Sequence, residues 1–313
     1  MDAEIPVSSD AEFRSVMVPP ELDRQRADRV IAVLSKVPRS IARAFVDDGL
    51  VTIDGKPVQP ADRVMAGDTL RMPTNAADDT VVADPGVEFE VLYDDADLAV
   101  INKPPGLVVH RGAGNRSGTL VNGLVARYPA IVGVGENPRW GIVHRLDRDT
   151  SGAMMVALTD RAHVALSRQI KTREVHRHYT TLVGGLFPIE RGTVDAPIGR
   201  DPGAATKMAV LVDGKFARTH YRRVAEWPAS NVSLVEVQLE TGRTHQIRVH
   251  MAAIDHAVVG DSLYRSGPDP VACPRMFLHA HRLEFLHPFT GEAMAIDAPL
   301  APDLQAVLNQ LTA

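Results

Sequence analysis

The densest run of reactive side chains is Gly141-Ile142-Val143-His144-Arg145-Leu146-Asp147-Arg148-Asp149-Thr150-Ser151-Gly152. A carboxylate in such a run can act as a nucleophile that needs neither metal nor cofactor. The same Asp, Arg, Asp, Thr, Ser, Gly series ahead of an apolar strand can also be a plain polar turn. A second concentration follows it. Between Arg161 and His178 stand Arg161, Arg168, Lys171, Arg173 and Arg177 against Glu174, with three histidines besides. That segment suits either contact with phosphates or a solvated helix face. Other chemistries find no support. The chain has 12 histidines, including His245/His250 and His279/His281/His287, but no zinc spacing among them, and Cys273 is its single cysteine, so no metal is expected. Gly112-Ala113-Gly114 fits neither phosphate-binding glycine pattern, so no nucleotide cofactor is expected.

The elements that must position these residues fall into two groups. Residues 1–17 are polar and aperiodic and read as a flexible N-terminus. Helical spacing follows over Leu22–Leu34 and Ser40–Val46, then a hairpin in which Val51-Thr52-Ile53 turns at Asp54-Gly55 toward Lys56-Pro57-Val58 and Gly67–Met72. This makes a compact module over 18–73. Residues 74–85, rich in Asp, Ala and Thr, read as a linker. From 86 to 313 the pattern changes to short strands at Val87–Leu92, Leu98–Asn102, Ala153–Leu158, Tyr179–Val183, Met208–Val212, Arg218–Val224, Val232–Leu239, Met276–Phe285 and Ala293–Ile296. Helical runs at Thr119–Arg127, Asp160–Lys171, Thr244–Ile254 and Pro302–Leu311 interrupt them. Such irregular alternation predicts an α+β domain with a mixed or antiparallel sheet rather than a doubly wound parallel one.

Composition is that of a globular protein, with 45% hydrophobic and 23% charged residues. The net charge of −5 conceals an asymmetry: residues 1–100 hold 20 acidic and 10 basic side chains, leaving 19 acidic and 24 basic beyond them. The basic excess therefore lies with the reactive segments. A lone cysteine, no signal peptide and no apolar run of spanning length predict a cytoplasmic protein without a membrane partner.

Three segments together carry a family resemblance. The run at 144–152 matches His-Arg-Leu-Asp-x-x-Thr-Ser-Gly at every fixed position. Val100-Ile101-Asn102-Lys103-Pro104-Pro105-Gly106 with Gly118-Thr119-Leu120 precedes it, and Glu240-Thr241-Gly242-Arg243-Thr244-His245-Gln246-Ile247-Arg248-Val249-His250-Met251 follows. In this order they resemble the RluA/RluD-type RNA pseudouridine synthases over residues 87–300. Upstream, Arg26-Ala27-Asp28, Arg39, Asp48 to Lys56 and Ala66-Gly67-Asp68 resemble an S4 RNA-binding domain.

The resemblance implies the pseudouridine synthase fold and an isomerase that works on structured RNA, 23S rRNA before tRNA, with pre-ribosomal particles as further partners and a monomer as the expected state. It assigns Asp147 as nucleophile, attacking C1′ or C6 of a flipped uridine. Arg248 keeps that carboxylate ionised against burial, and Tyr179 stacks on the uracil with a possible share in removing the C5 proton. Arg145 fills space or contacts RNA where the base leaves its stack. Lys103, Arg111, Arg116, Arg168, Lys171, Arg173 and Arg243 become phosphate contacts, joined by Arg26 and Arg39 from the S4-like module. Two other readings compete with this one. A binding or ribosome-assembly factor would have no need of Asp147, Tyr179 and Arg248 together, and a hydrolase would release free uracil.

Overall fold

A computed structural model describes residues 13–312 apart from 36, 38, 74–80, 111–116, 137 and 205. Arg111, Arg116 and the larger part of the expected linker lie outside the described residues. The chain divides into two compact units, Met1–Thr80 and Val81–Ala313.

The first unit packs helices Ala27–Ser35 and Arg39–Asp47 on a four-stranded sheet ordered Phe13–Met17, Thr69–Pro73, Thr52–Ile53, Lys56–Pro57. Its core is apolar and fully enclosed, with Val30, Ile31, Val64, Leu70 and Met72 at 0% exposure. Asp54 and Gly55 both take positive φ, the conformation that joins two antiparallel strands through a two-residue turn. One boundary needs correction. Phe13–Met17, read from sequence as part of a flexible N-terminus, is a strand paired from Phe13↔Pro73 to Met17↔Thr69. Its partner lies more than fifty residues downstream, so nothing local announces the pairing.

The second unit is built on one large sheet. Its main path runs Arg191–Asp195, Arg218–Trp227, Val232–Leu239, His176–Gly184, Leu278–Leu286, Ser151–Ala157, Leu98–Lys103, Glu90–Asp94, and Ala293–Asp297 adds to the Leu278–Leu286 strand. Every pairing is antiparallel except the short parallel contact His279↔Ser151 and Ala280↔Gly152. The expected α+β class with a mixed, largely antiparallel central sheet is the observed one. Ser151–Ala157 is buried along its whole length, as a strand covered on both faces must be. The segment that precedes it therefore starts from a rigid base.

That base constrains the glycine at its start. Gly152 has φ +114°, and a Cβ there would lie 2.2 Å from the Ala280 carbonyl oxygen. Only glycine permits both the dihedral and the close approach. No helix among the described residues is long and apolar enough to cross a membrane.

Candidate active site

The Asp147 loop rises between the isolated bridge Ile142↔Val156 and the strand that starts at Ser151. Two cations fasten its backbone from below. Lys103 Nζ donates to the carbonyls of Pro104 (2.7 Å), Leu107 (2.9 Å) and Arg148 (3.0 Å). Arg275 Nη1 donates to the Asp149 carbonyl at 3.0 Å, and its Nη2 to Ser151 Oγ at 3.0 Å, while Asp303 of the last helix holds the same guanidinium. Ser151 Oγ also meets His279 Nδ1 at 2.9 Å, and His279 Nε2 the Ala298 carbonyl at 3.2 Å. The loop is thus tied to the sheet and to the C-terminal helix.

Lys103 corrects the sequence reading. It is 0% exposed, so it cannot meet an RNA phosphate. Burial pushes its ammonium down to about 7, against the raising influence of Asp149 and Asp147. Its three carbonyl acceptors explain how such a group is tolerated in the interior.

Above the loop, Arg248 projects from the helix Gln246–Ala253. Its Nη1 donates to Asp147 Oδ2 at 3.2 Å, and its Nε and Nη2 form a fork on Asp261, at 2.7 and 2.9 Å. Asp261 in turn accepts from the amides of Leu263 and Tyr264. Burial opposes the charge on Arg248, but the Asp261 bonds and the charges of Asp261 and Asp147 raise its pKa above the ordinary value. Burial likewise pushes Asp261 up, and Arg248 outweighs it, so that carboxyl ends below its usual range. The fork fixes the plane of the guanidinium, and the remaining corner points at Asp147.

His245 caps that helix in a left-handed conformation, φ +57°. Tyr264 Oη accepts from the Met208 amide at 2.8 Å and lies 2.8 Å from His245 Nδ1. His245 Nε2 lies 4.0 Å from Asp147 Oδ2. Burial lowers the His245 pKa, with Asp147 opposing, so a neutral imidazole stands beside the carboxylate.

A cavity of about 390 Å³ opens over Asp147, within the range of small-ligand sites. Tyr179 lines it from the His176–Gly184 strand and is 5% exposed. Its hydroxyl pKa is raised by burial and by Asp147, with Arg177 opposing, so the phenol keeps its proton at neutral pH. The expected trio is therefore assembled around one opening. Lys171, Arg173 and Arg243 are exposed and border the same cavity. Arg145, also exposed, lines both this cavity and a second of about 230 Å³ on which Asp147 and Arg248 also border. Arg168 is exposed but lines neither cavity.

In the first unit Arg26 and Arg39 converge on Asp28, at 3.1 and 2.9 Å, with side chains 40% and 55% exposed. Asp28 is buried; burial would raise its pKa, yet the two arginines hold it down at about 2. Both arginines have a structural duty whatever else they contact. Sequence reasoning missed Asp261, Tyr264 and Arg275 outright, because each acts through a fold that joins distant loops. Gln246 was quoted only within a motif. Its side chain fastens the loop before it, accepting from Thr241 Oγ1 and the Arg243 amide.

Comparison with known proteins agrees with this architecture. Residues 97–253 match the RNA pseudouridylate synthase family, and residues 25–70 match the S4 domain. Ribosomal large subunit pseudouridine synthase D of Xanthomonas campestris pv. campestris is 42% identical, over 96% of this chain and 93% of its own. The protein of the same name from Pseudomonas aeruginosa is also 42% identical, over 97% of each chain. Among solved structures, human RNA Pseudouridylate Synthase Domain Containing 1 covers 72% of this chain and 96% of its own, with TM-score 0.56 and 27% identity.

Proposed function

This chain belongs to the RNA pseudouridylate synthase family and is an isomerase, and from that premise we propose that it converts uridines of large-subunit ribosomal RNA to pseudouridine, with Asp147 as nucleophile. The observation that carries the mechanism is the contact of Asp147 with an arginine already locked on Asp261, beside a cavity lined by Tyr179. A uridine flipped into that cavity would stack on Tyr179, worth about 1–3 kcal/mol, against a flipping penalty of a few kcal/mol. Arg145, exposed and lining the same cavity, would fill the space the base leaves in the RNA.

In the reaction, an Asp147 carboxylate oxygen bonds C1′ as the C1′–N1 bond breaks, and its electron pair stays on the uracil. The base turns, C5 bonds C1′, and the ester to Asp147 breaks. The C5 proton leaves and N1 gains one, so atoms and charge balance without any cofactor. Attack at C6 would give the same net change.

Large-subunit rRNA is favoured over tRNA by the names of the relatives and by their shared length with this chain. The test is tritium release from [5-³H]uridine-labelled 23S rRNA and tRNA, with wild type and Asp147→Asn side by side. Release from rRNA by wild type alone is the expected result. Release by both proteins would remove Asp147 from the chemistry, and release from tRNA alone would remove the rRNA assignment.

A further inference from the structure

Buried arginines in the second unit have carboxylate partners. Arg248 is paired with Asp147 and Asp261, Arg275 with Asp303 and Arg265 with Asp269, at side-chain exposures of 11%, 11% and 17%. Arg177 departs from that pattern. It is 5% exposed, yet its side chain has no hydrogen bond or ion pair among the described residues, and its Nε is enclosed without a partner. A buried guanidinium left in this state is costly to the fold.

Its position supplies a reason. Arg177 lines the Asp147 cavity, two residues before Tyr179 on one strand, so both side chains leave the sheet on the same face. Across the cavity a Cβ on Gly242 would lie 2.5 Å from Arg177 Nη1. The bare backbone of Gly242 is what gives the guanidinium room. Lys171, Arg173 and Arg243, which line the same cavity, are exposed. Arg177 lies deeper, beside the ring on which the base would stack.

On the reading of function above, we propose that Arg177 binds the carbonyl edge of the flipped uracil and takes up the negative charge that forms on it as the C1′–N1 bond breaks. The electron pair of that bond spreads over N1, O2 and O4, and the unpaired guanidinium donors meet those oxygens. The charge lasts until C5 bonds C1′, so the contact strengthens along the reaction and acts on the rate more than on binding. The fold tolerates an unpaired cation in the resting protein because the substrate supplies its partner.

The test uses the full chain and the RNA that wild type converts, with Arg177→Met and Arg177→Lys. Arg177→Met is expected to lower the single-turnover rate about 10²–10³-fold, with RNA affinity changed by no more than about threefold. Its Tm should equal or exceed that of wild type, since methionine removes an unpaired charge. Arg177→Lys should recover part of the rate. With 5-fluorouridine at the target position, cleavage of the glycosidic bond needs less help because the base is a better leaving group, and the gap between wild type and Arg177→Met should narrow. An unchanged rate with weaker, less salt-dependent RNA binding would overturn the proposal in favour of a phosphate contact. A lowered Tm with equal rate losses on both substrates would overturn it in favour of a structural role. No turnover by wild type on any RNA would remove the functional reading, whereas the two preceding results require an active wild type.

Discussion

At the residue scale, the arrangement Asp261, Arg248, Asp147 separates the carboxylate that holds the arginine from the one proposed to react. Asp261 takes two corners of the guanidinium and two backbone amides, and its side chain is 0% exposed. Asp147, at 16% exposure, is the member that faces the cavity. Asp261→Asn keeps the shape but removes the charge that fixes the fork. Because a displacement of about 1 Å can cost about 10²-fold in rate, a fall of roughly 10- to 100-fold in single-turnover rate is expected. RNA affinity should be unaltered. A rate equal to wild type would show that Arg248 is positioned by its helix alone. His279 gives a second prediction, in pH. It is 0% exposed, and burial, with the Ala298 carbonyl opposing, holds its pKa down at about 4 against an ordinary 6.5. Below 6.5 the unfolded chain takes a proton that the folded one refuses until about 4, so this contribution is complete above pH 6.5 and is lost as pH falls toward 4. The slope approaches about 1.4 kcal/mol per pH unit for one such group. Urea unfolding at pH 7, 6 and 5 should show stability falling with pH, and His279→Asn, which keeps an acceptor for Ser151, should flatten that fall. Parallel curves for the two proteins would exclude His279 as the source.

At the element scale, the Asp147 loop gains its precision from what lies under it. Lys103 from one strand and Arg275 from the loop before another grip its carbonyls, and Gly152 lets the next strand press on Ala280. Gly152→Ala combines a positive-φ penalty of about 1–3 kcal/mol with overpacking of about 1–3 kcal/mol. Unfolding in urea should therefore report a loss of roughly 2–6 kcal/mol, and a loss below about 1 kcal/mol would show that the Ala280 backbone can yield. The sequence disclosed much of this framework, since Val232–Leu239 and the helix starting at Asp160 follow clear alternation and helical spacing. It did not disclose the edge strand Arg191–Asp195, whose Arg-Gly-Thr-Val-Asp has one apolar residue. An edge exposed to water needs no alternation to hold its place. The site divides in the same way. Asp147, Tyr179 and Arg248 sit in recognisable runs, whereas Asp261 and Arg275 act across loops whose spacing carries no signal. Lys103 misled because a lysine beside Pro-Pro-Gly looks like a surface residue, and only the three carbonyls that surround it show otherwise.

At the scale of the whole molecule, the two units have separate cores, and the division of labour expected of them is RNA recognition in the first and chemistry in the second. The acidic excess falls in residues 1–100, although an S4 domain lies there, and the basic excess lies with the cavity. Single substitutions cannot cleanly measure what the first unit gives to RNA binding. Arg26 and Arg39 neutralise the buried Asp28, so removing either would unsettle the fold as well as any RNA contact. Removing the unit whole avoids that difficulty, because Val81–Ala313 retains its own enclosed core, from Leu98 and Ile101 to Met155 and Val237. A chain lacking residues 1–75 is expected to bind structured rRNA at least about tenfold more weakly, with a shallower dependence of log affinity on log salt as phosphate contacts are lost. Its single-turnover rate at saturating RNA should stay within about threefold of wild type, since the cavity and its cations lie beyond the cut. Equal affinity and an equal salt slope would make the first unit an appendage without RNA contact. A collapse of the saturated rate with unchanged affinity would instead mean that the first unit sets the geometry of the site, and the division of labour between the two units would have to be abandoned.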